Sequence, residues 1–569
     1  MNGLQWLLFI GIIQLIHFGG TYKLYQKAGR KSWEALVPIY NAYILMKIIG
    51  RPTWWVILLF IPIINLLMFP VVWIETIRSF GKNTQKDTWL VVLTLGLYTY
   101  AVNNSDVSYV ENRSLNPRTA LGEWVSSIVF AIVAASIVHA YFIQPFVIPT
   151  GSLERTLLVG DFLLVSKYHY GARVPMTPIA APMVHDTLPI IGTKSYLKKP
   201  QLPYLRLPGI TSPKRNDKVV FNWPIDTVRF FRDPSNIRVD KPIDKKSNYV
   251  KRLVGLPGDQ FSIIDGKIHI DGEPLVLDER AKPQISYTIY AQKGVSSKLL
   301  IEAGVKEFMR TYSTQNLNQT QANALYMSGH GVYNNPNGNG YLITTMSSGI
   351  DPNLIRSQRL ALSEIIDKER NASLTEQMAQ KLLSYSSIDS VVKQLQPKGQ
   401  FDASIYPHSR RLPWNVDQMG PFTIPSKDFE IELNPTNIDL YKEVITQYEG
   451  HELSQNGTQV LIDGETTTSY RFEKDYYWMM GDNRHNSEDS RYWGFVPEDH
   501  ILGKPIFIWM SIDGINDGIS NWKIRWDRVF TTVDGEGTPR SYFKHFLAIL
   551  ILGYGVDYYR KRKKNKKAQ

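Results

Sequence analysis

Long apolar runs make up the first part of the chain, and tryptophan, tyrosine and cationic residues bound them. The longest cover residues 4–18, 54–73 and 124–142. Runs of this kind are typical of helices that cross a bilayer or lie in it. The first run could also be a cleaved signal peptide, but it lacks a charged segment before it and further apolar runs follow, which favours a retained helix.

Two further runs, residues 35–49 and 89–102, are shorter than the roughly 20 residues that a perpendicular span needs. Each can therefore tilt, re-enter the membrane or lie at its surface. We predict an α-helical, polytopic membrane domain over residues 1–110 and a transmembrane anchor helix over residues 120–145.

The loops between the apolar runs carry the positive charge that predicts orientation. These cations are Lys23, Lys27, Arg30 and Lys31 in the first loop, Arg78, Lys82 and Lys86 in the second, and Arg113 and Arg118 before the anchor helix. Because loops rich in lysine and arginine stay in the cytoplasm, the anchor helix should carry the rest of the chain out of it.

From residue 146 onward, short alternating runs separated by turn signals replace the long apolar ones. This pattern predicts β-strands, and Asp265-Gly266 between two such runs predicts a tight hairpin. Similar runs return after residue 420. We therefore predict a mainly β catalytic domain outside the cytoplasm, in two parts that cover residues 146–284 and 416–540.

Residues 285–415 have a different pattern, which includes the helical stretches NLIRSQRLALSEIIDKER and SLTEQMAQKLLSYS. We predict an α-rich insertion there. Residues 541–569 hold an apolar segment and the basic tail RKRKKNKK. The apolar segment, residues 546–556, is about half a bilayer long, which favours an interfacial position, whereas the tail indicates a cytoplasmic end and so a crossing.

The composition of the chain excludes several classes of partner and reaction. The formal net charge is +12, but the excess lies in short clusters that fit membrane flanks better than a nucleic-acid surface. The chain has no cysteine, which excludes disulfides, thiolate metal sites and a cysteine nucleophile. We expect no nucleic-acid partner, no metal and no cofactor.

Three polar features of the β region could support nucleophilic catalysis. They are a serine in PTGSLERTLLVGDFLLVSKY, a lysine in NYVKRLVGLPGD and the loop GDNRHNSEDSRYWGFVPE. The sequence has neither an H-E-x-x-H zinc motif nor a G-x-S-x-G elbow. Each feature alone is usually a turn or a solvated residue, but all three occur in this order shortly after a membrane helix.

These segments resemble the type I signal peptidase family, membrane-bound peptidases that remove secretory signal peptides. The resemblance implies Ser152 as nucleophile, Lys251 as general base and Ser487 as the residue that orients the lysine. It implies a supporting group made up of Asp482, Arg484, Asp489, Arg491 and Arg252. Residues 27–69 resemble a separate, uncharacterised membrane domain of the DUF5684 type.

The sequence departs from the family pattern near both serines. Leu153 and Arg155 stand where the family usually has methionine and often proline, and His485 stands where an acidic residue is common. None of these changes removes a reactive group. They therefore bear on substrate fit rather than on catalysis.

The chemistry requires an unprotonated lysine, because a serine hydroxyl needs a base during attack. A free lysine pKa near 10.4 must fall by several units, and burial without an anionic partner has this effect. Strand alternation should turn Arg252 to the other face, towards an acidic partner such as Asp482 or Asp489. The oxyanion formed by attack needs donors. We assign one to the Ser152 N–H, and the resemblance implies the Thr150 hydroxyl as the other, since Thr150 matches a family position occupied by serine or threonine.

Two strands should bind the substrate in extended form by main-chain pairing. The residues expected to line this site are Phe146, Val147, Ile148, Pro149, Asn248, Tyr249 and Val250. Shallow apolar pockets there would admit only small side chains, as in cleavage sites of the A-x-A type.

We predict a multi-pass protein of the bacterial inner membrane that cleaves signal peptides on the periplasmic face, with secretory preproteins and lipid as partners. One alternative is a membrane-anchored binding or scaffold protein whose catalytic activity has lapsed. A second is a small-molecule transporter or channel built from the first apolar segments, although few ionisable residues lie inside those runs.

Overall fold

The computed structural model describes residues 3–116, 119–228, 237–336, 338–457, 459–516 and 518–568. Arg118, one of the cations used to predict orientation, lies outside the described residues. The helices are α1 (Gly3–Lys27), α2 (Tyr40–Ile48), α3 (Trp55–Leu58), α4 (Ile64–Arg78), α5 (Gln85–Leu93), α6 (Tyr98–Asn104), α7 (Ala120–Ile137), α8 (Ser297–Glu302), α9 (Gln319–Met327), α10 (Pro352–Ser357), α11 (Glu376–Leu383), α12 (Ile438–Glu443), α13 (Ser490–Trp493) and α14 (Phe543–Ala568).

Helices α1 to α6 pack around one apolar core, to which α7 contributes Val133. A buried carboxylate at Glu75 on α4 joins the helices to the following loop. It pairs with Arg51 at 2.9 Å and with Arg113, whose Nε also donates to Ser79 Oγ at 2.9 Å. These bonds hold the segment after α6 against α4.

Among the described residues, two helical segments, Leu4–Lys27 and Ala120–Phe142, are long and apolar enough to cross a membrane. The run at residues 54–73 does not form a single helix. It divides into α3 and α4 around Pro62, and Ile63 has a φ of 71°. Proline lacks the N–H that a continuing helix needs, which accounts for the break.

Helix α14 is longer than the apolar segment recognised at residues 546–556. Its first turn packs on the β domain, because Phe530 lies 5.6 Å from the ring of Phe543 and 4.5 Å from that of Phe546. The residues that follow on the helix are largely exposed. The helix therefore projects from the β domain.

The strands before the second catalytic segment are β1 (Ile143–Val147), β2 (Asp161–Ser166), β3 (Lys218–Asn222), β4 (Asn248–Gly255), β5 (Gln260–Ile264), β6 (Lys267–Ile270), β7 (Glu273–Pro274), β8 (Ile285–Tyr290), β9 (Met309–Thr314), β10 (Gly331–Asn334), β11 (Tyr341–Met346), β12 (Ser363–Ile365), β13 (Glu369–Leu374) and β14 (Ser390–Lys393).

The remaining strands are β15 (Met419–Thr423), β16 (Glu430–Glu432), β17 (Leu453–Asn456), β18 (Gln459–Ile462), β19 (Glu465–Thr467), β20 (Ser469–Arg471), β21 (Tyr476–Met480), β22 (Val496–Pro497), β23 (Ile501–Asp513), β24 (Lys523–Ile524) and β25 (Thr531–Thr532).

The main sheet has the order β1-β2-β23-β3-β4-β21-β22, so its centre combines strands from both ends of the β region. The long strand β23 pairs antiparallel with β2 and β3, and register shifts interrupt both pairings. Such bulges bend a strand and increase its twist, which allows the sheet to curl. The fold is thus a helical region with long apolar helices followed by a mostly β domain, as predicted.

A second sheet, β15-β5-β6-β7, contains the predicted hairpin. Ile264 pairs with Lys267, and the two turn residues Asp265 and Gly266 have φ values of 50° and 73°. Positive φ at both central residues defines the type I′ turn that Asp-Gly favours. This hairpin therefore forms at the predicted position.

The region from residue 285 to 415 contains more strand than we expected from its pattern. It forms two small sheets, β13-β8-β14 and β10-β11-β9-β12, with short helices packed beside them. The stretch SLTEQMAQKLLSYS gives α11, whereas NLIRSQRLALSEIIDKER gives only one short helix and continues into β12 and β13. Pairing of β13 with β8 overrides the helical periodicity there.

Candidate active site

Ser152 lies in a single 3₁₀ turn, Gly151–Leu153, just beyond the end of β1. The residue is 9% exposed. Its carbonyl oxygen accepts a hydrogen bond from the backbone N–H of Asn483 at 3.0 Å. The turn that carries the predicted nucleophile is therefore tied to the polar loop that follows β21.

Lys251 lies in β4, where it pairs with Val219 of β3. It is 3% exposed, and no carboxylate of the described residues lies within ion-pair distance of its Nζ. Burial lowers the pKa of Lys251 to about 8, although the carboxylates of Asp489 and Glu488 partly oppose this change. A substantial fraction of such an amine is neutral near pH 8.

Ser152 and Lys251 line the same cavity, which has a volume of about 80 Å³. All seven residues predicted to bind substrate also line it, together with Thr150. These residues are Phe146, Val147, Ile148, Pro149, Asn248, Tyr249 and Val250. The cavity is also lined by Leu153, which is a departure from the family pattern. Leu163 and Val220 line it as well, and neither was predicted to bind substrate although each lies in a strand-like run.

Two buried arginine–carboxylate pairs support the walls of this site. Arg252 binds Asp482 through two hydrogen bonds, each of 2.7 Å, and Thr156 Oγ1 donates to the same carboxylate at 2.6 Å. Arg491 binds Asp489 through two bonds of 2.8 Å. Bidentate pairs of this kind fix geometry as well as charge, so the loop has little freedom to move.

Asp489 also fixes the start of the loop, since its Oδ2 accepts from the backbone N–H of Gly481 at 3.1 Å. A Cβ atom at residue 481 would lie 2.2 Å from Ser487 Oγ and 2.5 Å from the carbonyl oxygen of Ser152. Only glycine fits in this space. Ser487 and the backbone of the predicted nucleophile therefore both lie close to Gly481.

The predicted hydrogen bond from Ser487 to Lys251 is not formed in this structure. Ser487 Oγ is buried, and among the described residues it has no hydrogen-bond partner. Gly481 holds the hydroxyl against the Ser152 turn, whereas the lysine is fixed by its strand. Because a buried hydroxyl without a partner costs free energy, the Ser487 hydroxyl would gain stability from a hydrogen bond to a neighbouring group.

Arg484 and His485 connect the loop to the surrounding sheets. Arg484 is buried, and no ion pair joins it to any residue that the structure describes. His485 Nδ1 accepts from the backbone N–H of Ser286 at 3.2 Å, and its Nε2 lies 2.8 Å from Asp417 Oδ1. His485, which stands where an acidic residue is common, therefore joins the loop to β8 at the start of the insertion.

Glu307 of the insertion contacts the same loop, and no pattern in the sequence predicted this contact. Its Oε2 accepts from Asn483 Nδ2 at 2.7 Å and from Asn486 Nδ2 at 3.4 Å. A Cβ atom at Gly151 would lie 2.9 Å from its Oε1. The carboxylate thus lies between the Ser152 turn and the loop that follows β21, although it is distant in sequence from every recognised segment.

No cluster of three or more histidine, cysteine, aspartate or glutamate residues is placed to hold a metal ion in the part of the chain that the structure describes. The side chains at the site are a serine, a buried amine and their hydrogen-bonded supports. Such a set can perform nucleophilic attack with a lysine as base.

Residues 121–330 and 422–510 match the family described as "Signal peptidase, peptidase S26", and residues 33–112 match a family of unknown function, DUF5684. The gap in the first match, residues 331–421, covers most of the predicted insertion.

Several curated bacterial proteins named signal peptidase I are similar to this chain. That of Buchnera aphidicola subsp. Acyrthosiphon pisum is 25% identical over 415 residues, which cover 72% of this chain and 82% of the relative. That of Haemophilus influenzae is 22% identical over 437 residues, or 75% and 80% of the two chains. That of Pseudomonas aeruginosa is 29% identical over 215 residues, or 37% and 60%.

Proposed function

The chain belongs to the signal peptidase family, peptidase S26, and from this premise we propose that it is a membrane-bound serine endopeptidase that cleaves N-terminal signal peptides with a serine–lysine dyad. The observation that carries the proposal is the cavity shared by Ser152 and Lys251. Its lysine is buried and, within the described residues, unpaired, so burial lowers its pKa to about 8.

In this mechanism neutral Lys251 Nζ removes the proton from Ser152 Oγ as that oxygen attacks the scissile carbonyl. The Ser152 N–H and the Thr150 hydroxyl stabilise the oxyanion. The protonated lysine then gives its proton to the leaving amine, and the peptide bond breaks to leave an acyl ester on Ser152. Water, activated by the same lysine, hydrolyses this ester and regenerates the hydroxyl.

Ser487 would orient Lys251 during these steps. Its buried Oγ, which has no partner among the described residues, can accept or donate a bond when the lysine side chain turns towards it. The pairs Arg252–Asp482 and Arg491–Asp489 would keep the loop in place while the proton moves. Arg484 completes the supporting group.

The substrate would lie along β1 and β4 as an added extended segment. A cavity of about 80 Å³ fits small side chains such as that of alanine, which supports specificity for A-x-A sites in secretory preproteins. The pocket is apolar except for the proposed catalytic groups, Asn248 and the hydroxyl-bearing Tyr249. Larger side chains at the cleavage site would not fit without displacement of Phe146 or Val250.

We further propose that the catalytic domain, residues 146–284 and 416–540, lies on the periplasmic face of the bacterial inner membrane. Residues 1–110 would form the multi-pass domain and residues 120–145 the anchor, with residues 541–569 as a further apolar segment and basic tail. Val147, Trp522, Ile524 and Trp526 are exposed apolar residues of the β domain. Such residues suit contact with lipid near the cleavage site.

The proposal can be tested with the purified full chain in detergent and a preprotein that carries an A-x-A site. We expect cleavage after the second alanine, detected by mass spectrometry, and loss of cleavage in Ser152→Ala and Lys251→Ala. Ser386→Ala and Lys293→Ala are matched controls, because both residues are exposed and lie in the insertion. A preprotein with phenylalanine in place of the second alanine should not be cut.

Failure of the parent protein to cleave would favour a scaffold whose activity has lapsed. Cleavage that survives Ser152→Ala would instead show that the nucleophile is assigned to the wrong residue.

A further inference from the structure

A second, larger cavity lies where the β domain meets the insertion. It has a volume of about 340 Å³, within the range of small-molecule sites in proteins. The hairpin β5–β6 and the segment after β7 form one side, and β8, β14 and the start of α11 form the other. The cavity is separate from the one that holds Ser152, since the two have no lining residue in common.

Arg484 lines this cavity and is 5% exposed. Its Nε has no hydrogen-bond partner, and its guanidinium forms no ion pair with any described residue. Burial lowers its pKa to about 10. Its neighbours Arg252 and Arg491 each bind a buried carboxylate directly. Those two carboxylates, Asp482 and Asp489, partly oppose the effect of burial on Arg484 but form no ion pair with it.

The other charged residues of the lining are also mostly cationic. Lys267, Lys282 and Lys393 are present, and Glu376 is the acidic residue among them. Glu376 is already paired with Lys393 at 2.9 Å and accepts from Tyr287 at 3.3 Å. The electrostatic character of the cavity therefore favours an anion, since a buried charge without a partner is costly.

The remaining wall is apolar. Its side chains are Ile268, Leu275, Leu277, Ile285 and Leu374. A cavity that combines an apolar wall with several cationic side chains suits a molecule with an apolar body and an anionic end. A planar carboxylate matches the two-donor geometry of a guanidinium.

We propose that this cavity binds an organic carboxylate with an apolar body, whose carboxylate pairs with Arg484. Two sources have this chemistry, a fatty acid and the carboxyl terminus of an apolar peptide. Arg484 begins the turn Arg484–Asn486 that leads to Ser487, and its carbonyl accepts from Arg491. An occupant would therefore hold the loop of the first site from its other side. The binding itself does not depend on the proposed peptidase activity.

The test is calorimetric titration of the purified full chain in a nonionic detergent. The probes are octanoate and N-acetyl-alanyl-leucine, each compared with its amide, which has nearly the same shape but no charge. We expect the acids to bind and the amides to bind at least tenfold more weakly. The acid that binds more tightly identifies the source.

Two variants separate binding from other effects. Leu277→Trp should fill the cavity and weaken acid binding at least tenfold while cleavage of a preprotein is kept, because residue 277 lies outside the first site. Arg484→Gln should equalise the acid and its amide. Lys293→Gln, an exposed lysine outside the cavity, should change nothing.

The proposal is overturned if neither acid binds, if acids and amides bind equally to the parent protein, or if Arg484→Gln binds acids like the parent. Cleavage is measured separately on the same samples. If the acids do not bind but the preprotein is cleaved, the proposal for this cavity alone is wrong. If the acids bind but the preprotein is not cleaved, the proposed peptidase activity is wrong.

Discussion

Two neighbouring residues of β4 place buried cations on opposite faces of the strand pair β3–β4, and the two faces differ in charge. On one face Arg252 binds Asp482, and Lys218, directly across on β3, lies 3.3 Å from Asp278 and also pairs with Asp534. On the other face Lys251 lies opposite Val219. There the described residues include no carboxylate at ion-pair distance from its Nζ.

The comparison of the two lysines separates the effect of burial from the effect of an ion pair. Lys218 and Lys251 are about equally buried, at 1% and 3% exposure, so burial alone does not distinguish them. Lys218 pairs with two carboxylates, whereas Lys251 forms no ion pair with a described residue and can relieve the cost of burial by losing a proton. A guanidinium has no such option, because arginine stays charged in proteins. The unpaired face is thus suited to proton transfer and the paired face to stability.

The largest effect should come from Lys251→Met. The substitution removes the proposed general base. A general base typically contributes about 10²–10⁴ in rate, so turnover should fall by about that factor. An apolar side chain of similar length should leave the free energy of unfolding unchanged or raise it, because no ion pair is broken. Cleavage kinetics and denaturant unfolding of the same sample measure both quantities. A loss of 3 kcal/mol or more in stability would contradict the description of this face as unpaired.

On the paired face, Arg252→Met should have the opposite effect on the free energy of unfolding. It leaves Asp482 buried with Thr156 as its remaining donor, and removal of one partner of a buried pair typically costs about 3–5 kcal/mol. We expect lower stability in denaturant unfolding. The variant Arg252→Met with Asp482→Leu should recover part of this loss, since both charges are then absent. If the double variant is as unstable as the single one, the cost does not arise from the unpaired charge.

A carboxylate introduced on the unpaired face tests whether the absence of an ion pair keeps the pKa of Lys251 low. With the pKa of Lys251 lowered to about 8, cleavage should fall as the pH decreases through about 8, because the base becomes protonated. Val219→Asp places an acid directly opposite Lys251 and should raise this midpoint by about 1–3 units.

The matched control for that variant is Val219→Asn, which is similar in size and polarity but carries no charge. It should keep the midpoint near 8 in the pH profile of turnover. An equal profile for the aspartate and asparagine variants would mean that the lysine does not set the acidic limb.

Local sequence signals account for much of this arrangement. Alternation predicted that Arg252 would turn away from Lys251 towards an acid, and Asp482 lies there. The Asp265-Gly266 hairpin has the same local origin. Pairing between distant segments was harder to predict from the sequence. The stretch at residues 353–370, which we predicted to be helical, contains β12 and the start of β13, and β13 forms by pairing with the distant strand β8. The break at Pro62 was overlooked because the apolar run around it is continuous.

Glu307 shows why part of the site could not be predicted. It lies in the insertion, and folding alone brings its carboxylate to Asn483, Asn486 and Gly151. We expect it to position the Ser152 turn rather than to act on Lys251. Charged hydrogen bonds of this kind contribute about 1.5–3 kcal/mol when buried, and this one is partly exposed.

Glu307→Ala should therefore lower kcat by about tenfold, leave KM unchanged and leave the pH midpoint near 8. Glu307→Gln keeps an acceptor for one asparagine and should recover part of the loss. Glu302→Ala is the matched control, because that glutamate is exposed on α8. A shift of the pH midpoint in Glu307→Ala would mean that its charge acts on the lysine, and the distinction between a positioning carboxylate and an unpaired amine would then fail.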